Sequence, residues 1–458
     1  MTEINKILDI DLAAPVSYTE GLEERLRDRL HLQRLRAAPR TLRNRLALIL
    51  ALVGPGLLVM LGDNDAGGVI TYAQTGATYG ISLFIPLMIP LGFIAYLVQE
   101  MTIRLGAVTR RGHAEMIWKR YGAFWGAFSL FDLVAANILT LMTEFIGIRV
   151  ASEIFHVPYL VTIPLAFAFI TGVLVFLKYS SWERVSLLVA AFNMVFVPLA
   201  LMSHPDWSAI GRTFTGASGW TLPGGLFSAS FLILISANFG TTIAPWQLFF
   251  QQSCVVDKGL LVPDIPASRR DLMLGVVGMV VVAIAIIVLS GQYLHSLPNA
   301  TSLGDQDVVN GIGAKLGQGA MVMFALGLLE AGLIAAIVIT ASTAWAIGEA
   351  LDVPRSVNVS PRRSLYFYAP AVVGTAVSAS VLMLPNVPVG FLNLTVQVIA
   401  TVFMPAAMLF LLMLLNDKEL LGEHVNSPLR NALSVGVMVL LIVCNGLYGI
   451  STVFPNLL

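Results

Sequence analysis

The sequence predicts an all-α polytopic membrane protein with about eleven spanning helices, ten of them in two inverted groups of five. Three observations predict it. Of the 458 residues, 57% are hydrophobic and 12% charged, with mean hydropathy +0.81. Soluble domains carry about 25% charged residues, so a soluble globular enzyme and an intrinsically disordered chain are both excluded. Eleven apolar runs approach or exceed the roughly 20 residues that a helix needs to cross hydrocarbon. Lys and Arg collect in alternate connecting segments, as the positive-inside rule requires. The 39 Gly and 22 Pro fit the same class, because membrane helices tolerate them where neighbours satisfy the freed backbone groups.

Residues 1–45 are polar and charged, and no signal peptide opens them. Between Glu20 and Arg45, charges alternate with Leu26, Leu30, Leu32 and Leu35. This pattern fits either a short amphipathic helix on the membrane surface or a solvated helix with ion pairs. Spans follow near 46–76, 82–108, 122–152, 159–177, 184–204, 223–254, 272–295, 317–350, 365–385, 388–416 and 430–453. Residues 46–204 form the first five-helix repeat and 223–416 the second. Residues 430–453 form an additional eleventh helix. Basic residues mark Lys6 to Arg45, Arg104 to Arg120, Lys178 and Arg184, Lys258 to Arg270, Arg355 to Arg363, and Lys418 and Arg430 as inner segments, leaving Arg212 and Lys315 outside. The N-terminus is therefore expected in the cytoplasm and the C-terminus outside, in a cell membrane.

Spans one and six occupy matching places in the two groups, start from opposite sides, and are both interrupted. Paired interrupted helices of this kind point to a transporter's midplane site. The first break reads Gly54-Pro55-Gly56, then Gly62-Asp63-Asn64-Asp65-Ala66-Gly67-Gly68. Two carboxylates with no basic residue beside them are costly inside a span unless they are paired or functional. Carboxylates and freed carbonyls are hard oxygen ligands suited to Mg²⁺, Ca²⁺ or Mn²⁺. A structural kink capped by Asp side chains is the competing reading. The second break, Asn238 to Gln247, contains Pro245, which disturbs the preceding turn and frees carbonyls near Thr241. Asp132 and Glu144 in span three, Glu330 in span eight and Gln397 in span ten are further intramembrane polar residues. The acids either line an aqueous path, carry protons, or are paired structural groups.

The sequence offers no enzyme motif. The six histidines form no ligand pair, Cys254 and Cys444 form no metal or redox pattern, and neither a Walker loop nor GxSxG occurs. Zero net charge gives no reason to expect a nucleic-acid partner. The expected partners are the bilayer and a transported ion, with no resident cofactor. Oligomeric state is not legible.

The chain resembles the NRAMP family of divalent-metal transporters over spans one to ten. Gly54-Pro55-Gly56, Gln74-Thr75-Gly76-Ala77 with Tyr79-Gly80, Glu144-Phe145-Ile146-Gly147, Gly327-Leu328-Leu329 with Ala331-Gly332, and Gln397-Val398 with Pro405 carry the resemblance. It implies a LeuT-type inverted repeat and transport by alternating access. It places the ion near Asp65, with the carbonyls of Gly62 and Thr241 nearby, Gly68 and Ala244 lining the pocket, and Gln397 approaching on closure; Asp63 and Asn64, beside Asp65, add oxygen ligands that this sequence itself supplies.

The departures from the family pattern matter as much. The family's Asp-Pro-Gly-Asn is Asp65-Ala66-Gly67-Gly68 here, its metal-binding Met is Ala244, and its span-six histidines are Trp246 and Gln251. A span-three Asp becomes Leu141, and a Tyr becomes Asp63. Losing the soft thioether removes the main preference for Mn²⁺ or Fe²⁺. A larger, oxygen-only site suits partly hydrated Mg²⁺, as in NRAMP-related magnesium transporters. The missing protonatable groups imply facilitated Mg²⁺ entry without proton coupling, with Mn²⁺ as a second ion. The alternatives are a proton-coupled Mn²⁺/Fe²⁺ importer, an amino-acid or other organic-solute transporter of the same fold, and a non-transporting metal sensor.

Overall fold

The computed structural model describes residues 54–453, apart from short stretches within 217–227 and 299–302. The surface helix expected within 20–45 and the beginning of span one lie outside the described residues. Among the described residues there are only helices and their connections, and ten helices are long and apolar enough to cross a membrane. The remaining span is split into α1 (Pro55–Leu61) and α2 (Ala66–Tyr79). Next come α3 (Phe84–Thr109), α4 (His113–Ile154) and α5 (Tyr159–Phe176). The fifth span is α6 (Tyr179–Ala191) and α7 (Phe196–Met202), with α8 (Trp207–Thr215) after it. The sixth is α9 (Ala229–Thr242) and α10 (Pro245–Asp257). Then follow α11 (Ile265–Tyr293), α12 (Asp305–Leu316), α13 (Gln318–Ala350), α14 (Leu365–Met383) and α15 (Val389–Leu415). The short α16 (Lys418–Leu421) leads to α17 (Pro428–Val453).

Most span boundaries fall within a few residues of those the hydropathy pattern predicts. Four features stand out. In α4 a short helical stretch from His113, whose Glu115 is neutralised by Arg355, Lys119 and Arg111, turns at Gly122 (φ 86°), and span three proper starts there, where the hydropathy pattern places it. Span seven begins at Ile265, where Pro266 occupies the first turn, a position that needs no backbone donor. Span five is broken by a 3₁₀ turn at Phe192–Val195, which apolar periodicity does not reveal. In span six, Pro245 starts a new helix after the extended residues Ile243 and Ala244 rather than kinking a continuous one.

The lower half of span six is seated by aromatic rings. Trp182 of α6 meets Trp345 of α13 edge-on at 5.7 Å, and Phe250 of α10 packs on both Trp345 and Trp246 at 5.9 and 6.0 Å. These rings are fully or almost fully buried, and edge-to-face contact of this kind fixes relative orientation as well as burying area. The N-terminal end of α1 is held by α11: the Asp271 carboxylate accepts from Gly54 N at 3.1 Å and Gly56 N at 2.8 Å. A carboxylate in this place satisfies the unpaired first-turn donors as an N-cap would. A Lys258–Glu183 ion pair at 2.8 Å closes the same corner.

One end of the bundle is tied by charge. Glu100 of α3 binds Arg269 of α11 at 2.5 Å, Arg104 at 3.2 Å and Arg430 of α17 at 3.3 Å. Glu100→Ala leaves three guanidiniums facing one another. The expected loss is about 3 kcal/mol, the lower end for breaking a buried pair, because Arg269 and Arg430 are 36% exposed. A fall of several degrees in the unfolding midpoint in detergent, followed by tryptophan fluorescence, would register it. An unchanged midpoint would show that the cluster does not contribute.

Candidate cation site at the broken helices

Both breaks lie in the interior and face each other. Between α1 and α2, residues 62–65 leave the helix, and Asp65 takes up an extended backbone as the N-cap of α2, accepting from Gly68 N. Asp63 and Asn64 are 0% exposed and Asp65 is 2% exposed, so the site is closed to solvent. Between α9 and α10, the last carbonyls of α9 lack helical partners, as at any helix C-terminus. Thr241 Oγ1 reaches Asp65 Oδ1 at 3.5 Å and so bridges the two breaks.

Further elements complete the surroundings. Glu144 of α4 accepts from Ala66 N at 3.0 Å and from Thr143 Oγ1 at 3.2 Å, which fixes it at the start of α2. Gln247 of α10 donates to Asp63 Oδ1 and receives a hydrogen bond from Gln99 at 3.2 Å. Asn193 of the span-five break donates to the Asn64 carbonyl at 3.2 Å, and Asn64 in turn donates to Met279 O at 3.4 Å. On the opposite side, α15 lies directly over Gly67: a Cβ there would sit 2.1 Å from Gln397 Nε2, so a larger residue would push the Gln397 amide aside. Asn393 donates to Gly67 O at 3.4 Å. A Cβ on Gly240 would meet Gln397 O at 1.9 Å, so α9 also lies against α15.

The predicted site residues therefore converge: Asp63, Asn64, Asp65, Thr241 and Gln397 border one buried region. Gly62 packs on Val338 and the Trp246 ring. Ala244 is 4% exposed at the N-cap of α10. The space that a side chain at Gly68 would need is held by Thr241 Oγ1, 2.3 Å from the ideal Cβ position. The room expected from a missing Asn side chain is thus partly taken up by threonine.

Sequence reasoning missed Gln247, Asn193 and Thr143. Gln247 had a signal, as the first amide side chain after Pro245, whereas the other two are recognisable only from contacts between helices.

The donor set is chemically consistent. Among the described residues, Asp63 Oδ2 and Asn64 Oδ1 are buried acceptors without a donor, a combination that favours a cation or its water. Among the described residues, no three His, Cys, Asp or Glu side chains are grouped so as to hold a metal by themselves. Amide and backbone oxygens would have to complete any coordination shell, and such oxygens suit hard cations.

Paired broken helices around a closed acidic interior are the architecture of secondary transporters. The chain belongs to the Nramp family: the model described as Natural resistance-associated macrophage protein-like matches residues 56–451. The divalent metal cation transporter MntH of Burkholderia ambifaria is 25% identical over 424 residues, covering 88% of this chain and 90% of that protein. MntH 1 of Pseudomonas aeruginosa is 26% identical, covering 86% and 90%. Among solved structures, a manganese transporter of Eremococcus coleocola superposes with TM-score 0.71 at 18% identity, covering 89% of this chain and 87% of that one. MhsT in complex with L-phenylalanine shares the fold at TM-score 0.53 and 14% identity, covering 87% and 98%.

Proposed function

We propose that the protein carries divalent cations, Mg²⁺ foremost, across the membrane by alternating access and without moving protons. The observation that carries this reading is the donor set at the breaks: two buried carboxylates with amide and backbone oxygens, and Ala244 where a thioether would select softer metals. The relatives named MntH and the manganese transporter support divalent metal transport as such and favour Mn²⁺ as a second substrate. The amino-acid reading is disfavoured, because Asp63 and Asp65 stand where a substrate carboxylate would meet the start of α2.

Proton coupling is disfavoured because Trp246 and Gln251 occupy the lower half of span six and Leu141 the turn before Glu144. Entry would then be driven by potential alone. A divalent ion gains about 4.6 kcal/mol per 100 mV, twice the value for one elementary charge. A pH-sensitive dye trapped in proteoliposomes tests this part of the reading. Metal entry at constant lumenal pH is expected, and acidification that tracks metal entry would overturn it.

A further inference from the structure

Glu330 has no role in the site as described so far. It lies in the first half of α13 and is 6% exposed; among the described residues neither carboxyl oxygen has a hydrogen bond of good geometry, and the Asn193 side chain is the polar group beside it. Leaving a carboxylate in this condition inside a membrane protein is costly, so its surroundings are informative. One turn earlier on the same face, Gly327 packs against the Val195 and Phe196 side chains. Glu330 therefore faces the 3₁₀ break of span five, beside Asn193. Asn193 is 0% exposed and donates to the Asn64 carbonyl, while its own Oδ1 has no donor. Asn64 Oδ1 is likewise without one.

Unsatisfied acceptors thus occur at Glu330, at its neighbour Asn193 and at Asn64, the residue before Asp65. Buried acceptors of this kind call for donors, and the donors that fit are the water molecules around a cation.

We propose that Glu330, Asn193 and Asn64 form an outer-sphere pole of the cation site, accepting hydrogen bonds from the water shell of a divalent cation held at Asp65. This rests on the reading of the breaks as a cation site. The arrangement lets the protein hold a cation without stripping it, because one side supplies carboxylate ligands and the other supplies acceptors for retained water. Mg²⁺ dehydrates reluctantly and usually keeps several waters, so its binding depends on such a pole more than that of Mn²⁺. Water-mediated contacts approach direct hydrogen bonds in strength, and a hydrogen bond to a charged group is a strong one.

The test is Mg²⁺ and Mn²⁺ uptake by the full-length protein in proteoliposomes, for wild type, Glu330→Gln, Glu330→Asp and Asn193→Ala. Glu330→Gln is expected to raise the Mg²⁺ KM about tenfold, which corresponds to about 1.4 kcal/mol. The Mn²⁺ KM is expected to rise no more than about threefold, and kcat to stay within about twofold. Glu330→Asp restores most of the Mg²⁺ affinity, and Asn193→Ala shifts KM in the same direction as Glu330→Gln. An unchanged Mg²⁺ KM, or equal rises for both ions, overturns the proposal. If the wild type carries Mn²⁺ but no Mg²⁺, the Mg²⁺ reading fails by itself. Glu330 is then judged on the Mn²⁺ KM, where a rise of about threefold supports its role and no change refutes it. Because Glu330→Asp keeps the charge, it separates loss of the pole from loss of the fold.

Discussion

Asp65→Asn is expected to reduce metal uptake to the background of empty vesicles, a loss of at least about a hundredfold, or about 2.7 kcal/mol. Asp65 is where the two breaks meet. Its carboxylate receives Gly68 N and the Thr241 hydroxyl and sits beside Asp63 with almost no access to water. A divalent ion in this interior needs anionic ligands to offset its lost hydration, and the amides alone cannot supply them. Asn is the informative substitution, because Asp65 also caps α2. Ala removes both the charge and the cap, and loss of a cap costs about 1 kcal/mol, whereas Asn retains a capping oxygen. The Asn variant should elute as a folded monodisperse protein in detergent with its unfolding midpoint nearly unchanged. Uptake at the wild-type rate would show that the ion does not pass through Asp65.

Ala244→Met is expected to redirect selectivity. Residue 244 lies at the extended junction between α9 and α10, buried and adjacent to the ends of both half-helices. A thioether introduced there adds a soft ligand, which strengthens binding of Mn²⁺ and more so of Cd²⁺ while offering Mg²⁺ little. The expected outcome is a fall of about tenfold in the Mn²⁺ KM and a loss of about tenfold in Mg²⁺ uptake, each near 1.4 kcal/mol. Ala244→Leu controls for bulk, since it adds similar volume without sulfur and should weaken both ions. If Met and Leu behave alike, volume rather than ligand softness governs selectivity at this position.

Much of the fold was legible because bilayer thickness imposes a length on every span, and apolar runs of that length stand out from charged connections. Span one was readable as broken because Gly62 to Gly68 combines acids with small residues. Span five was not, since Phe192, Asn193, Met194 and Val195 carry no glycine or proline signal and the break is stabilised by Asn193 bonding Asn64. The start of span seven was misplaced because a charge there is neutralised by a residue far away in sequence, Glu100 for Arg269.

The same distinction applies to the site. Asp63, Asn64 and Asp65 could be read because two acids inside an apolar span are rare. Gln247 as the partner of Asp63, Asp271 as the cap of α1, and Thr241 in the space beside Gly68 depend on how helices approach one another. None of these contacts leaves a periodicity in the chain.

Uptake into proteoliposomes with a trapped Mg²⁺-sensitive dye tests most directly the claim that Mg²⁺ passes through an oxygen-only site at the broken helices. With a negative-inside potential, saturable Mg²⁺ entry is expected for the wild type and none for Asp65→Asn. Absent Mg²⁺ entry in vesicles that take up Mn²⁺ through the same protein would contradict the claim.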